Sequence, residues 1–148
     1  MKWYGDSMKN GVQFVFQVKS DDFLNAGKVS SEIKKYLSQL GLSVPLIRRV
    51  VICSYEAEVN LVIHSLGGKI ELEITNSAIH LSSMDEGPGI DNIPLAMKAG
   101  FSTASEKARE MGFGAGMGLP NMRKHSDHFE IKSSHAGTFI RLTYFIND

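Results

Sequence analysis

Seven of the 14 glycines in this 148-residue chain lie between residues 85 and 118, and this concentration limits the possible fold more than any other feature. Two of them belong to the segment Asp85-Glu86-Gly87-Pro88-Gly89, and four alternate with other residues in Gly112–Gly118. Glycine destabilises the interior of helices and strands, so this part of the chain is expected to be the least regular. Long loops inside a compact domain are usually functional or mobile.

Regular periodicity surrounds the glycine-rich region on both sides. The expected elements are a strand over 12–18, a helix capped by Asp21 or Asp22 and running to 40, a helix over 45–65, strands over 70–74 and 79–83, a short helix over 93–98, a helix over 118–127, and strands over 129–133 and 139–144. Two hairpins with helices between them favour an α+β fold, with a mixed, mostly antiparallel sheet and helices on one face. The length favours a single domain over residues 1–148.

Composition argues against several classes of function. Sixteen Lys and Arg residues balance 16 Asp and Glu residues. The sequence contains no cluster of basic residues of the kind that binds nucleic acid, so a nucleic-acid partner is not expected. No apolar run approaches the length of a membrane span, and the N-terminus lacks a signal-type apolar segment, so a cytoplasmic location is expected. The lone Cys53 lies in an apolar run and is predicted to be a buried thiol rather than a nucleophile.

Glu56 and Asn60 form the first candidate site. They are four residues apart on the second predicted helix, so their side chains share one face. An Asn carbonyl oxygen suits Mg²⁺, and a neighbouring Glu can act as a general base. Taken alone, the pair is better explained as part of an ordinary polar helix surface.

The two glycine-rich segments form the second and third candidates. Asp85 lies at the end of a predicted strand, where it can accept a hydrogen bond from an exocyclic amine, while Gly87 and Gly89 allow close backbone approach. Alternating glycines before a helix, as in Gly112–Gly118, expose backbone N–H groups that can bind an anion. No Gly-Lys-Ser/Thr follows them as in a P-loop, and their late position is unlike a dinucleotide-binding fingerprint.

In this order and at these separations, the three segments resemble the N box and the two glycine boxes of the GHKL ATPase superfamily, over roughly residues 12–145. The resemblance implies the Bergerat fold, a two-layer α/β sandwich that binds ATP with Mg²⁺. It assigns the general base to Glu56, the magnesium ligand to Asn60 and the adenine-binding carboxylate to Asp85. It also assigns the adenine pocket to Gly87 and Gly89, the phosphate loop to Gly114, Gly116 and Gly118, and a hydroxyl near adenine to Thr138.

The residues between the two glycine boxes are predicted to form a lid. Lys107 and Arg109 lie there and could reach the γ-phosphate, although a solvated charged loop is an equal alternative. The segment from about Gly100 to Gly116 is expected to be the most mobile internal part of the chain without nucleotide. His125 and His128 are interpreted as surface residues rather than metal ligands, because no further ligand completes a site.

Within the superfamily the chain resembles the anti-sigma-factor serine/threonine kinases, through the segment Glu56-Ala57-x-x-Asn60 followed by His64. Through Gly118-Leu119-Pro120 it also resembles the switch-type kinases, which act on sulfate-transporter/anti-sigma-antagonist (STAS) proteins. The first hypothesis is therefore an ATP-dependent serine/threonine protein kinase that phosphorylates a regulatory partner, either a STAS-domain protein or a component of a sigma-factor pathway. The second is a partner-switching module that binds ATP or ADP and does not phosphorylate its partner. A detached histidine-kinase domain is less favoured, and a homodimer is left open.

Overall fold

Alternating apolar residues place five strands in one sheet, as the periodicity predicts. The structure, a computed structural model, describes residues 11–98 and 117–146. Its elements are β1 (Val12–Val18), a 3₁₀ turn (Phe23–Asn25), α1 (Lys28–Gln39), α2 (Val44–His64), β2 (Gly68–Ile74), β3 (Ala78–Asp85), α3 (Ile93–Ala96), α4 (Gly118–His125), β4 (His128–Ser134) and β5 (Gly137–Phe145).

The sheet has the strand order β1-β2-β3-β5-β4, and each of these four pairings is antiparallel. The α+β prediction is therefore confirmed, and the sheet is antiparallel throughout the described residues rather than mixed. Because β3 and β5 pair antiparallel, the end of β3 lies beside the start of β5, near the centre of the sheet. Asp85, the last residue of β3, therefore lies beside the turn that leads into β5.

Helices cover one face of this sheet. Leu72, Leu81 and Leu142 form one cross-strand row and are at most 1% exposed, and the helices supply the opposing apolar side chains from α1, α2 and α4. The helices bury this face because strand side chains alternate between the two sides, with apolar residues on one of them. Cys53 of α2 is fully buried in this core, and burial raises the pKa of its thiol to about 11. This confirms the prediction of a buried thiol.

The predicted start of the first helix is wrong. Asp22 precedes only the three-residue 3₁₀ turn, and α1 begins at Lys28, after Gly27 with a φ of 102°. The carboxylate of Glu58, which belongs to α2, accepts hydrogen bonds from the backbone N–H groups of Val29 and Ser30 at 3.1 and 3.2 Å. A residue from a neighbouring helix therefore satisfies N–H groups that a local cap would otherwise bind.

The second helix runs as predicted. Ser43 caps α2 by accepting a hydrogen bond from the backbone N–H of Leu46, and Pro45 occupies the first turn, where its missing N–H costs nothing. The helix continues to His64, and one of its faces packs into the core. Within the described ranges, no helix combines the length and the apolar character needed to cross a membrane.

Candidate functional site

The position of α4 against α2 is fixed by contacts at its C-terminal end. The Nε of Arg49 donates to the backbone carbonyl of His125 at 3.0 Å, and the guanidinium forms an ion pair with Asp127 at 2.7 Å. One turn further along α2, the thiol of Cys53 lies 3.8 Å from the carbonyl oxygen of Met122. From one contact to the next, the residue number increases on α2 and decreases on α4, so the two helices run antiparallel.

This packing brings Glu56 and Asn60 to the first residue of α4. Both side chains are half-buried on α2. A Cβ built on Gly118 would lie 3.1 Å from the Oδ1 of Asn60 and 3.2 Å from the Oε2 of Glu56. The structure therefore places two polar side chains of α2 directly against Gly118, the last residue of the second glycine-rich segment.

Gly118→Ala should disturb this arrangement without unfolding the chain. Alanine favours a helix over glycine by about 0.8–1.0 kcal/mol, so thermal stability should be kept or slightly raised. The added methyl group must nevertheless displace Glu56 or Asn60 by a few tenths of an ångström, because distances of 3.1–3.3 Å are shorter than an ordinary Cβ contact. We expect calorimetry to show about tenfold weaker Mg-ATP binding, equivalent to about 1.4 kcal/mol. Unchanged binding in both Gly118→Ala and Gly118→Val would show that this approach does not matter.

Glu56 carries two opposing influences on its charge. Burial raises the pKa of its carboxyl group, because it disfavours the charged form, and a hydrogen bond donated by the side-chain amide of Asn121 lowers it. The net effect is a raised pKa. A partly desolvated carboxylate of this kind is a stronger proton acceptor than an exposed glutamate, which suits a general base.

Asp85 is held by two backbone groups from different parts of the chain. Its Oδ1 accepts hydrogen bonds from the N–H of Gly87 and from the N–H of Thr138, both at 2.9 Å. Its Oδ2 has no hydrogen-bond partner among the described residues. One oxygen therefore fixes the side chain, and the other remains available to a donor on a ligand.

The first glycine-rich segment packs on the turn between β4 and β5. Gly87 has a φ of 107°, and a Cβ on Gly89 would overlap the carbonyl oxygen of Ser134, so each position requires glycine. The hydroxyl group of Ser133 accepts a hydrogen bond from the N–H of Ile90 at 2.6 Å and lies 2.8 Å from the hydroxyl group of Thr138. Thr138 is buried, and both of its polar groups have partners. Its hydroxyl group binds that of Ser133, and its backbone N–H donates to Asp85.

The end of the sheet also carries an open cavity of about 310 Å³. It is lined by Met84, Asp85, Lys132, Ser133, Ser134, Ala136, Gly137, Thr138 and Phe139. Met84, Phe139 and Lys132 form one cross-strand row on the face opposite to that of Asp85. No residue of α2 lines this cavity, so it is not the space beside Glu56 and Asn60.

Several predicted site residues lie outside the described residues. These are Gly114 and Gly116 of the phosphate loop, Lys107 and Arg109 of the lid, and the segment predicted to be mobile. Among the residues that are described, Asp85 and the Glu56–Asn60 pair both lie on the helix-covered side of the sheet. Strand alternation places Asp85 on the same side as the buried Leu81.

Asn60 fits the magnesium role on the geometry of its surroundings. Its carbonyl oxygen lies where any side chain at position 118 would crowd it, so glycine alone leaves space in front of it. Mg²⁺ is usually bound through one or two protein oxygens, with phosphate oxygens and water completing the shell. In the described part of the chain, no three His, Cys, Asp or Glu side chains group as metal ligands, and His125 and His128 belong to no such group.

Two polar residues of the site region were not singled out by sequence reasoning. Asn121 follows Gly118 by three residues, a helical spacing that places both on one face and that could have identified it. Glu58 is 2% exposed and binds the start of α1. Burial raises the pKa of its carboxyl group, and the backbone N–H groups of α1 oppose that rise. Nothing in the local sequence around Glu58 indicates this role.

The chain is similar to a known protein family over most of its length. The sequence profile of the family described as the histidine kinase-like ATPase domain matches residues 21–144. The chain is 31% identical over 120 residues to the anti-sigma F factor of Thermoanaerobacter sp. (strain X514), covering 77% of this chain and 80% of the relative.

Solved structures show the same fold. The structure of the RsbU and RsbW domains of a Mycobacterium tuberculosis protein is similar with a TM-score of 0.60 and 17% identity, over 91% of this chain and 33% of that one. The SiaB–SiaC complex from Pseudomonas aeruginosa contains a chain that matches with a TM-score of 0.59 and 14% identity, over 93% of this chain and 92% of that one. At these identities the likeness concerns the fold alone.

Proposed function

Since the chain belongs to the family of histidine kinase-like ATPase domains, we propose that it is an ATP-dependent protein kinase that phosphorylates a serine or threonine of a regulatory partner. The partner would be a STAS-domain protein or a component of a sigma-factor pathway. The observation that carries this proposal is the meeting of Glu56 and Asn60 at Gly118. A base and an oxygen ligand at the start of one helix form the arrangement that phosphoryl transfer to a hydroxyl group requires.

The nucleotide would extend from Asp85 to α4. The Oδ2 of Asp85, to which nothing in residues 11–98 or 117–146 donates, would accept a hydrogen bond from the exocyclic amine of adenine, while Gly87 and Gly89 let the backbone approach the base. The N-terminus of α4 at Gly118 would face the phosphates with its partial positive charge. Asn60 would hold Mg²⁺ together with phosphate oxygens and water, and the ion would neutralise phosphate charge.

Glu56 would take the proton of the attacking hydroxyl group. The oxygen of the partner's serine or threonine forms a bond to the γ-phosphorus as the bond to the β-phosphate oxygen breaks. ADP leaves, and the proton moves to the Glu56 carboxylate. Positioning and charge stabilisation supply most of the acceleration in such reactions. In the absence of a partner hydroxyl group, the isolated chain should hydrolyse ATP only slowly.

A second candidate is supported by the name of the relatives. The Thermoanaerobacter protein is called an anti-sigma F factor, a name that describes binding to a sigma factor. The chain would then be a partner-switching module in which ATP or ADP sets the conformation and no phosphate is transferred. The same nucleotide site serves both candidates, so the two differ in what happens to the partner.

A transfer assay with γ-labelled ATP separates the two candidates. The full chain is incubated with Mg-ATP and with each STAS-domain protein and sigma factor encoded in the same genome. Label on a STAS protein supports the kinase, and nucleotide-dependent binding to a sigma factor or STAS protein without label supports the switching module. Neither label nor binding with any of these proteins would contradict both.

Asn60→Ala should remove the magnesium dependence of nucleotide binding. The substitution deletes the side-chain oxygen proposed to hold the ion, so ATP affinity should become nearly the same with and without Mg²⁺. Binding of ADP without magnesium should change little. A titration with and without Mg²⁺, with Asn76→Ala at an exposed position in the turn between β2 and β3 as the control, measures this. An unchanged magnesium dependence in Asn60→Ala would place the ion elsewhere.

A further inference from the structure

Four contacts join α2 to α4 in a regular series. Arg49 binds the carbonyl group of His125, Cys53 approaches that of Met122, and Asn60 lies against Gly118. Between them, the side-chain amide of Asn121 donates a hydrogen bond to Glu56. The α2 partners are residues 49, 53, 56 and 60, a spacing that keeps them on one helical face.

This series fixes where Asn121 can lie. Its neighbours in the series, Met122 and Gly118, are held by contacts that do not involve Asn121 itself. Leu119 and Met122 are buried in the core, which prevents α4 from rotating about its axis. The contacts on either side of Asn121 therefore place it on the face of α4 that meets α2, at the level of Glu56.

We propose that Asn121 is a positioning residue that orients the Glu56 carboxylate toward the start of α4. This inference rests on the proposed function, because it assigns to Asn121 the task of aiming the base. The hydrogen bond restrains the carboxylate group, whose Oε2 lies 3.2 Å from a Cβ built on Gly118. Without it, the two side-chain torsions that place the carboxylate would be restricted only by packing.

Asn121 also links the base to the start of α4. Gly118 begins the helix and Asn121 lies in its first turn. A change in the position of this turn would therefore move the donor that holds Glu56. The orientation of the Glu56 carboxylate therefore depends on the position of α4.

A double-mutant cycle between Glu56 and Asn121 tests the inference. Asn121→Leu keeps the approximate volume and removes the donor, and Lys124→Ala, at an exposed position of the same helix, is the control. The probe is Mg-ATP, and release of phosphate to water is measured under single-turnover conditions, so no partner is needed. Asn121→Leu should lower the rate by about ten- to a hundredfold, as expected for a misplaced reacting group, with nearly unchanged ATP affinity.

The cycle separates positioning from a merely structural effect. If Asn121 acts through Glu56, Asn121→Leu should cost nothing further in a Glu56→Gln background, whereas independent effects add. An equal cost in both backgrounds would overturn the inference. A wild-type rate in Glu56→Gln would instead contradict the proposed base, so the two failures are distinguishable.

A second measurement needs no turnover. The side-chain amide of Asn121 gives resolved signals in two-dimensional NMR, and Asn121→Leu identifies them. Glu56→Gln should shift these signals, because a neutral acceptor replaces the carboxylate, and Lys124→Ala should leave them in place. Signals that do not respond to Glu56→Gln would show that the two side chains do not interact and would overturn the inference.

Discussion

Glu56→Gln should lower phosphate transfer to the partner by at least about a hundredfold, because a general base contributes about 10²–10⁴-fold to such reactions. The substitution keeps the shape of the side chain and removes its ability to accept a proton. Binding of Mg-ATP should be nearly normal, since neither Asn60 nor Asp85 changes. Single-turnover transfer and calorimetric titration measure the two quantities separately.

The matched control is Glu130→Gln, which removes a carboxylate from the opposite face of the sheet and should leave transfer unchanged. Burial raises the pKa of the Glu56 carboxyl group, so this group becomes protonated at a higher pH than an exposed glutamate does. As the pH is lowered, transfer by the wild type should therefore begin to decline at a higher pH than it would with an exposed glutamate as the base. Transfer at the wild-type rate by Glu56→Gln would exclude Glu56 as the base.

Asp85→Asn should weaken ATP binding by about ten- to a hundredfold, which corresponds to the cost of about 1–3 kcal/mol for a mismatched buried hydrogen bond. The asparagine Oδ1 can still accept from the N–H groups of Gly87 and Thr138, so the turn should fold normally. Its NH₂ group would replace Oδ2 and point a donor at the amine of adenine. Wild-type protein should bind GTP poorly, because guanine presents a carbonyl oxygen at that position.

Two variants make this result interpretable. Asp91→Asn, at an exposed position a few residues away, should bind ATP normally. Asp85→Ala leaves both backbone N–H groups without their acceptor, so it should lose thermal stability as well as affinity. Equal affinities of the wild type for ATP and GTP would contradict the assignment of Asp85 to adenine.

Local patterns in the sequence predict much of this fold because they report local structure. Alternation identifies all five strands, and the spacing of Glu56 and Asn60 correctly places them on one face of α2. Gly118 at the start of a helix follows from the glycine pattern and the apolar residues after it. The order of these segments indicates the family, which the profile match confirms.

Contacts between distant residues are what the sequence does not reveal. Glu58 binds the start of α1 from 29 positions away, and Asp85 is held by an N–H group 53 positions away. Such hydrogen bonds depend on how elements pack, which no local period encodes. The predicted start of α1 at Asp21 or Asp22 is wrong for this reason. The spacing of Asn121 from Gly118 indicates its helical face, but not its partner Glu56, which belongs to another helix.

A crystal structure with Mg²⁺ and a non-hydrolysable ATP analogue would show whether a single nucleotide site extends from Asp85 to Glu56. We expect the exocyclic amine of adenine within hydrogen-bond distance of the Oδ2 of Asp85, Mg²⁺ on the Oδ1 of Asn60, and the terminal phosphate beside Glu56. A nucleotide bound in the cavity between Met84, Lys132 and Phe139, or a magnesium ion without Asn60 among its ligands, would contradict it.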